Sequence, residues 1–215
     1  VLTNTQLDIL CNIRYKGFKT IKLPMTFRPT PKPLPCSEGS DYNKAGEALG
    51  MALEKLCKDA ENAVDDGYNY IILTDKIDDA EVSAPLSTRE GQGGGSVFIP
   101  SLLAVSAVHH YLISVGKRVQ TALIVETGEI REVMHAALLL GYGASAICPY
   151  MTFAVLDDLA QKHKIQEEYA TAEANYIKAV DKGLKKVMSK MGISTIRSYR
   201  GAKIFESIGL SEDLS

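Results

Sequence analysis

Two rhythms of apolar residues alternate along this chain. Short apolar runs (FKTIKL, YNYIILTD, VQTALIV and ASAICPY) predict buried strands, and the longer stretches between them place apolar residues at helical spacing. Thr3 to Tyr15 carries Leu7, Leu10 and Ile13 or Ile9 on one side, with Thr3 or Asn4 as N-cap and Gly17 as its stop. FKTIKLPMTF follows as a strand through Phe18, Ile21 and Leu23. Lys44 to Asp66 predicts a long helix with the stripe Leu49, Leu53, Leu56, Ala60 and Val64, ended by Gly67. The centre of YNYIILTD is continuously apolar, as in a parallel strand covered on both faces. Pro100 opens a helix, SLLAVSAVHHYLISVG, that is apolar nearly all round and therefore mostly buried. Strand 119–125, helix 128–140 and the strand ASAICPY complete this part, with Gly141 and Gly143 closing the helix.

Strands that alternate with helices argue for parallel β-α units joined right-handed. The fold class is therefore α/β: about four parallel strands in β-α units, as an open sheet or a partial barrel, with a helical C-terminal extension. That extension covers 151–215, with a short helix to about His163, a long one from Gln166 to Met191 stopped by Gly192, and a last one from Arg197 to Ile208. Residues 1–215 are read as one domain. Within it, 28–42, which holds Pro29, Pro31, Pro33 and Pro35, is an extended connection, and 75–97 is a long, mobile loop.

Composition narrows the possibilities. A chain of 215 residues with 46% hydrophobic residues is long enough for one full core. A net charge of −2 gives no overall pull towards nucleic acid or membrane, and no apolar run approaches the roughly 20 residues needed to span a bilayer. The four cysteines, Cys11, Cys36, Cys57 and Cys148, form no C-x-x-C, which argues against a zinc or iron–sulfur site and suits reduced thiols in a cytosol-like compartment. The start at Val1 and the end after LSEDLS read as those of a segment of something larger, or of a processed product.

Four features carry candidate chemistry. GQGGGS at 91–96 lacks G-K-[ST] and lies some sixteen residues beyond its strand, so it reads as an insertion and not as a phosphate loop. His109 and His110 are adjacent on a helix, point about 100° apart and cannot share a metal from there. The turn after the third strand holds Glu126, Thr127, Gly128, Glu129, Arg131 and His135, where an α/β sheet places its ligands. Carboxylates also suit a helix start on stability grounds alone, Thr127 is a fitting N-cap, and Arg131 and Glu132 can each order His135 on one helical face. With no nucleophile and no second base, the set reads first as a structural buttress, then as a domain contact, and last as a catalytic group. Lys178, Lys182, Lys186 and Lys190 form one basic column. From Tyr176 to Lys203 there are eight basic residues and one acid, Asp181. That column is either a solvated face or a surface for an acidic partner. Without interleaved aromatics it is no nucleic-acid site.

Three strings together resemble one family: IPSLLAVSAVHHYLI (99–113), LIVETGEIREVMHAALLLGYGASAICPY (123–150) and YIKAVDKGLKKVMSKMGISTIRSYRGAKIFESIGL (176–210). They are similar to the central region of the glutamate synthase large subunit, over most of the chain from about Tyr68 on. The resemblance implies an enzyme that makes two glutamates from glutamine and 2-oxoglutarate. Its amidotransferase domain releases ammonia, which passes inside the protein to an FMN-binding barrel with an iron–sulfur cluster, and electrons come from reduced nicotinamide or ferredoxin. The segment would be the connector between the amidotransferase and FMN domains, its partners, in the cytoplasm or an organelle stroma. The resemblance brings no catalytic, cofactor or metal residue into this segment. The amino-terminal cysteine nucleophile is absent, and FMN and the cluster belong to the parent enzyme. Two departures stand out. Met134 replaces the first of two adjacent histidines in the family's E-x-G-E-x-R-E-V-H-H string, and the stretch around Ser83 to Val97 is an insertion in a loop that the family keeps short.

Overall fold

The computed structural model describes residues 1–13, 15–27, 40–76 and 97–205, with the backbone alone over 40–45. Its centre is a four-stranded parallel sheet: β1 (Thr20–Pro24), β3 (Tyr70–Thr74), β5 (Ala122–Glu126) and β6 (Ala146–Cys148), side by side in that order. Ile71 stands opposite Ile21 on β1 and Leu123 on β5, and Ile124 stands opposite Ala146. A two-residue ribbon pairs β2 (Thr26–Phe27) antiparallel to β4 (Val97–Phe98).

The continuous apolar centres of β3 and β5 follow from burial on both faces. Ile71, Leu73, Leu123 and Val125 point into the larger core. That core is closed by α2 (Ser40–Asp65), α3 (Ser101–Ser114) and α4 (Val133–Gly141). Ile72 and Ile124, one residue out of phase, point to the opposite face. There they meet Leu7 of α1 (Asn4–Cys11) and Phe153 of α5 (Tyr150–Gln161). The helix α6 (Tyr169–Lys190) turns Val180, Leu184 and Met188 to the larger core and Ile177 to the smaller. A four-residue helix, α7 (Ile196–Tyr199), buries Tyr199 against the larger core. Strand order follows chain order without reversal. In the described residues the sheet is thus an open, singly wound one, with α1 and α5 on the face that a closed barrel would turn inward.

Several boundaries differ from the sequence expectation for identifiable reasons. Arg118–Gln120 is a 3-10 turn with Val119 93% exposed, so β5 begins at Ala122 and not at 119. Pro100 precedes α3 as its N-cap, and Leu103 and Ile113 stay exposed on that helix. The helix after β5 starts at Val133 and not at 128, because 127–132 forms an irregular turn. Thr3 does cap α1, in a capping box with Gln6. Gly192, in the left-handed region, follows α6 as expected. The glycine-rich run at 91–96 and the proline-rich run at 29–35 lie outside the described residues.

Candidate functional site

The turn after β5 is held from below by β1 and β3. Glu126, 4% exposed, accepts a hydrogen bond from Thr74 Oγ1 at 2.8 Å and an ion-paired one from Lys22 Nζ at 3.0 Å. Burial alone would lower the Lys22 pKa. The hydrogen bond and the charge of Glu126 outweigh it and leave the ammonium more basic than usual. Thr127 is fully buried, and its hydroxyl donates to Asp75 Oδ2. The same carboxylate accepts from the Gly128 backbone N–H at 3.1 Å. Burial pushes the Asp75 carboxyl up against the pull of those bonds.

The remaining side chains turn away from this pair of carboxylates. Glu129 Oε2 accepts from the Ser101 backbone N–H at 3.0 Å and from the Ser101 hydroxyl, so it occupies the free N–H end of α3. His135 Nδ1 accepts from the Arg131 backbone N–H at 3.2 Å, and its Nε2 lies 4.0 Å from Glu132. Arg131 itself precedes α4, so the pair shares no helical face. Thr127 caps no helix: the N-cap of α4 is Glu132, with no side-chain bond, and the Thr127 Oγ1 instead accepts from the Glu129 N–H at 3.1 Å. Glu126 and the Thr127–Gly128 pair meet at the carboxyl edge of the sheet, while Glu129 and His135 face separate neighbours.

Asp75 is the residue that sequence reasoning missed. Its place in the chain is that of the first loop residue, yet it anchors Thr127 and Gly128 across the end of β3. Its signal lay in its position directly after an apolar strand, alongside the strand that carries the turn. Around it, Lys76 sits 5.9 Å over the Tyr150 ring, whose hydroxyl is pushed up to about 12 by burial and the nearby Asp75 charge. Burial likewise raises the Cys148 thiol to about 12, so it is an inert core thiol. Met134, Met151 and Val155, each about half exposed, lie on α4 and α5, and Met151 packs beside Gly128.

A second polar set lies at the opposite, amino end of the strands. The two histidines separate: His110 Nδ1 turns to the Ser106 carbonyl at 2.8 Å, and buried His109 accepts from Arg118 Nε at 2.8 Å. Burial, then the Arg118 charge, lowers the His109 pKa to about 4. Arg118 also donates to the carbonyls of Thr121 and Gly143, at 2.8 and 2.7 Å, and Arg200 donates to Ser145 Oγ at 2.7 Å.

Among the described residues no three His, Cys, Asp or Glu side chains gather as metal ligands; Cys57 lies in the larger core and Cys11 and Cys148 in the smaller, so an iron–sulfur cluster, which needs four thiolates together, does not fit these three. No described helix is long and apolar enough to cross a membrane.

Fold and site together define a singly wound parallel α/β domain whose carboxyl-edge turn is bonded internally. The chain belongs to the glutamate synthase central domain family, whose model matches residues 1–211. It is 37% identical to the glutamate synthase (NADPH) large chain of Bacillus subtilis and 39% to the glutamate synthase (NADH) of Schizosaccharomyces pombe, each over the whole of this chain and 12% and 9% of the relative. Against the ferredoxin-dependent glutamate synthase 2 of Synechocystis it is 42% identical over 78% of this chain and 11% of the relative. The chain thus spans about a tenth of the length of these relatives. Among solved structures, a ligand-free DHODH from Eimeria tenella aligns over 71% of this chain and 37% of that one, with a TM-score of 0.44 and 18% identity.

Proposed function

We propose that this chain is the connector of a glutamate synthase, and that it performs no chemistry itself. The whole enzyme makes two glutamates from glutamine, 2-oxoglutarate and a reductant, with FMN and an iron–sulfur cluster in its other parts. This domain holds the amidotransferase and FMN domains in register and helps to wall the ammonia path, in the cytoplasm or an organelle stroma. The observation that carries the reading is the way this same chain ties down the polar groups of the carboxyl-edge turn. The carboxylates of Glu126, Asp75 and Glu129, and Nδ1 of His135, are each occupied by a donor from this same chain. A general base and its partners must face one substrate, and these bonds, made by Oε2 of Glu126, Oε2 of Glu129 and Nδ1 of His135, draw the groups to separate neighbours. The exposed Met134, Met151 and Val155 on the neighbouring helices suit contact with another domain better than a solvent-filled cleft.

A stand-alone binding domain or enzyme using Glu126, Glu129, Arg131 and His135 would need those groups to converge. Glu129 is drawn to α3 and His135 to the start of α4, and the geometry favours the connector. The test is to assay the chain by itself for glutaminase activity, FMN binding and glutamate formation, with calorimetry against glutamine and 2-oxoglutarate. Silence is expected throughout. Stoichiometric FMN or turnover would overturn the proposal.

A further inference from the structure

The outer face of α6 carries a charge pattern that the stability of this domain does not explain. Lys178, Lys182, Lys186 and Lys190 are all exposed, and among the described residues none has a carboxylate within ion-pair distance. Successive members lie four residues apart, so each of the three neighbouring pairs is a like-charge pair that weakens the helix. The helix dipole rewards cations only in the last turn, which covers Lys190 and leaves Lys178 and Lys182 outside its reach. The rest of the face is small and polar (Thr171, Asn175 and Ser189), all exposed. At the end of the column a hollow of about 360 Å³ opens between Lys185, Met188, Ser189, Gly192, Ile193 and Ser194. Met188 and Ile193 give it an apolar floor beside a cation.

We infer that this face, with the hollow at its end, is a docking surface for an acidic protein segment that carries one apolar anchor side chain. Lysines at i, i+4 and i+8 repeat every ~6 Å along a helix, so the matching partner presents carboxylates at that pitch, as an acidic helix laid alongside does. The floor of the hollow takes the anchor, which supplies the burial that exposed ion pairs alone do not. A nucleic acid is a poorer match, because the described face interleaves no arginine or aromatic residue with its lysines. A lipid surface is a poorer match too, because the column itself bears no apolar stripe for insertion. The inference rests on the connector reading for the presence of a neighbouring domain, but its test does not depend on enzymatic activity.

The experiment treats the complete protein in its native state with a carbodiimide, which joins a lysine amine directly to a touching carboxylate, and maps the linked peptides. In parallel, an amine-acetylating reagent measures how fast each lysine reacts. The expected result is amide links from at least two of Lys178, Lys182, Lys186 and Lys190 to aspartates or glutamates outside 169–190, falling severalfold at 0.5 M salt. Acetylation of these lysines is expected at least fivefold slower than that of the exposed Lys55. In the double variant Lys182→Glu with Lys186→Glu, links from the two remaining lysines are lost and Lys178 reacts as fast as Lys55. Full reactivity of the column in the unmodified protein, without carboxylate links, overturns the inference. So does protection that vanishes on nuclease treatment or arises only with anionic vesicles. Either negative result in an enzyme that still makes glutamate leaves the connector reading standing and removes only this surface.

Discussion

The two ends of the same four strands are finished in opposite ways. At the carboxyl edge the buried charges are acids, Glu126 and Asp75, and each is answered by a side chain or a turn N–H. At the amino edge the charges are the half-buried arginines Arg118 and Arg200, and Arg118 is answered mainly by carbonyls: those of Thr121 and Gly143, with the ring of His109 as third acceptor. Both arrangements tie together segments far apart in the chain, but at the amino edge Arg200 Nε is buried without a partner among the described residues. Position at the carboxyl end of a parallel strand therefore does not by itself make a reactive site. What decides is whether the polar groups there converge on one point.

The glycines expose the contrast most sharply. At the amino edge Gly143 has φ +118° and a side chain there would overlap the His109 ring, so Gly143→Ala is expected to cost about 3 kcal/mol or more in urea unfolding. At the carboxyl edge an added Cβ at Gly128 meets Met151 Cβ at 3.3 Å in an ordinary backbone conformation, and Gly128→Ala should cost under about 1 kcal/mol. Equal losses at the two sites would break the comparison.

Next in size is the ion pair. Lys22→Met leaves Glu126 buried with Thr74 as its remaining side-chain donor and is expected to cost about 2 kcal/mol, less than a fully buried pair because Lys22 is 41% exposed. Adding Glu126→Gln to that variant should recover part of the loss, and a double-mutant cycle reads the coupling directly.

The two edges also differ in their response to acid. His109 titrates at about 4 when folded and near 6.5 when unfolded. Between those values the unfolded chain binds the extra proton, so stability is complete above pH 6.5 and drains away as pH falls towards 4. From pH 7 to pH 5 that loss is about 1–2 kcal/mol, and His109→Gln should flatten this part of the profile. The smallest effect is expected at the N-terminus of α3, where Glu129→Gln keeps an acceptor for Ser101 and loses only charge, at about 0.5–1 kcal/mol by thermal melting.

The sequence made the sheet legible because β3 and β5 are covered on both faces, which forces runs such as YIILT and ALIVE to be apolar throughout. It also made the site's location legible. The partners were hidden, since Thr127 gives its hydroxyl to Asp75, which is 52 residues earlier, and no local rule anticipates that competitor for a helix cap. The amino edge was illegible for the same reason: an arginine bound to carbonyls leaves no charge complement to find in the chain. Gly183 sits in the middle of the lysine-bearing helix, where a glycine costs about 1 kcal/mol, and it is there because α6 approaches Val133 too closely for any side chain.

The most direct test of the central claim compares melting and turnover in the complete enzyme carrying Glu126→Gln, Asp75→Asn or His135→Gln. If the turn is an internal brace, the melting temperature falls for the two buried carboxylates, while kcat per folded molecule, measured well below the transition, stays within about threefold of the unmodified enzyme. A hundredfold or greater loss of kcat in any of the three, with the melting temperature unchanged, would contradict it.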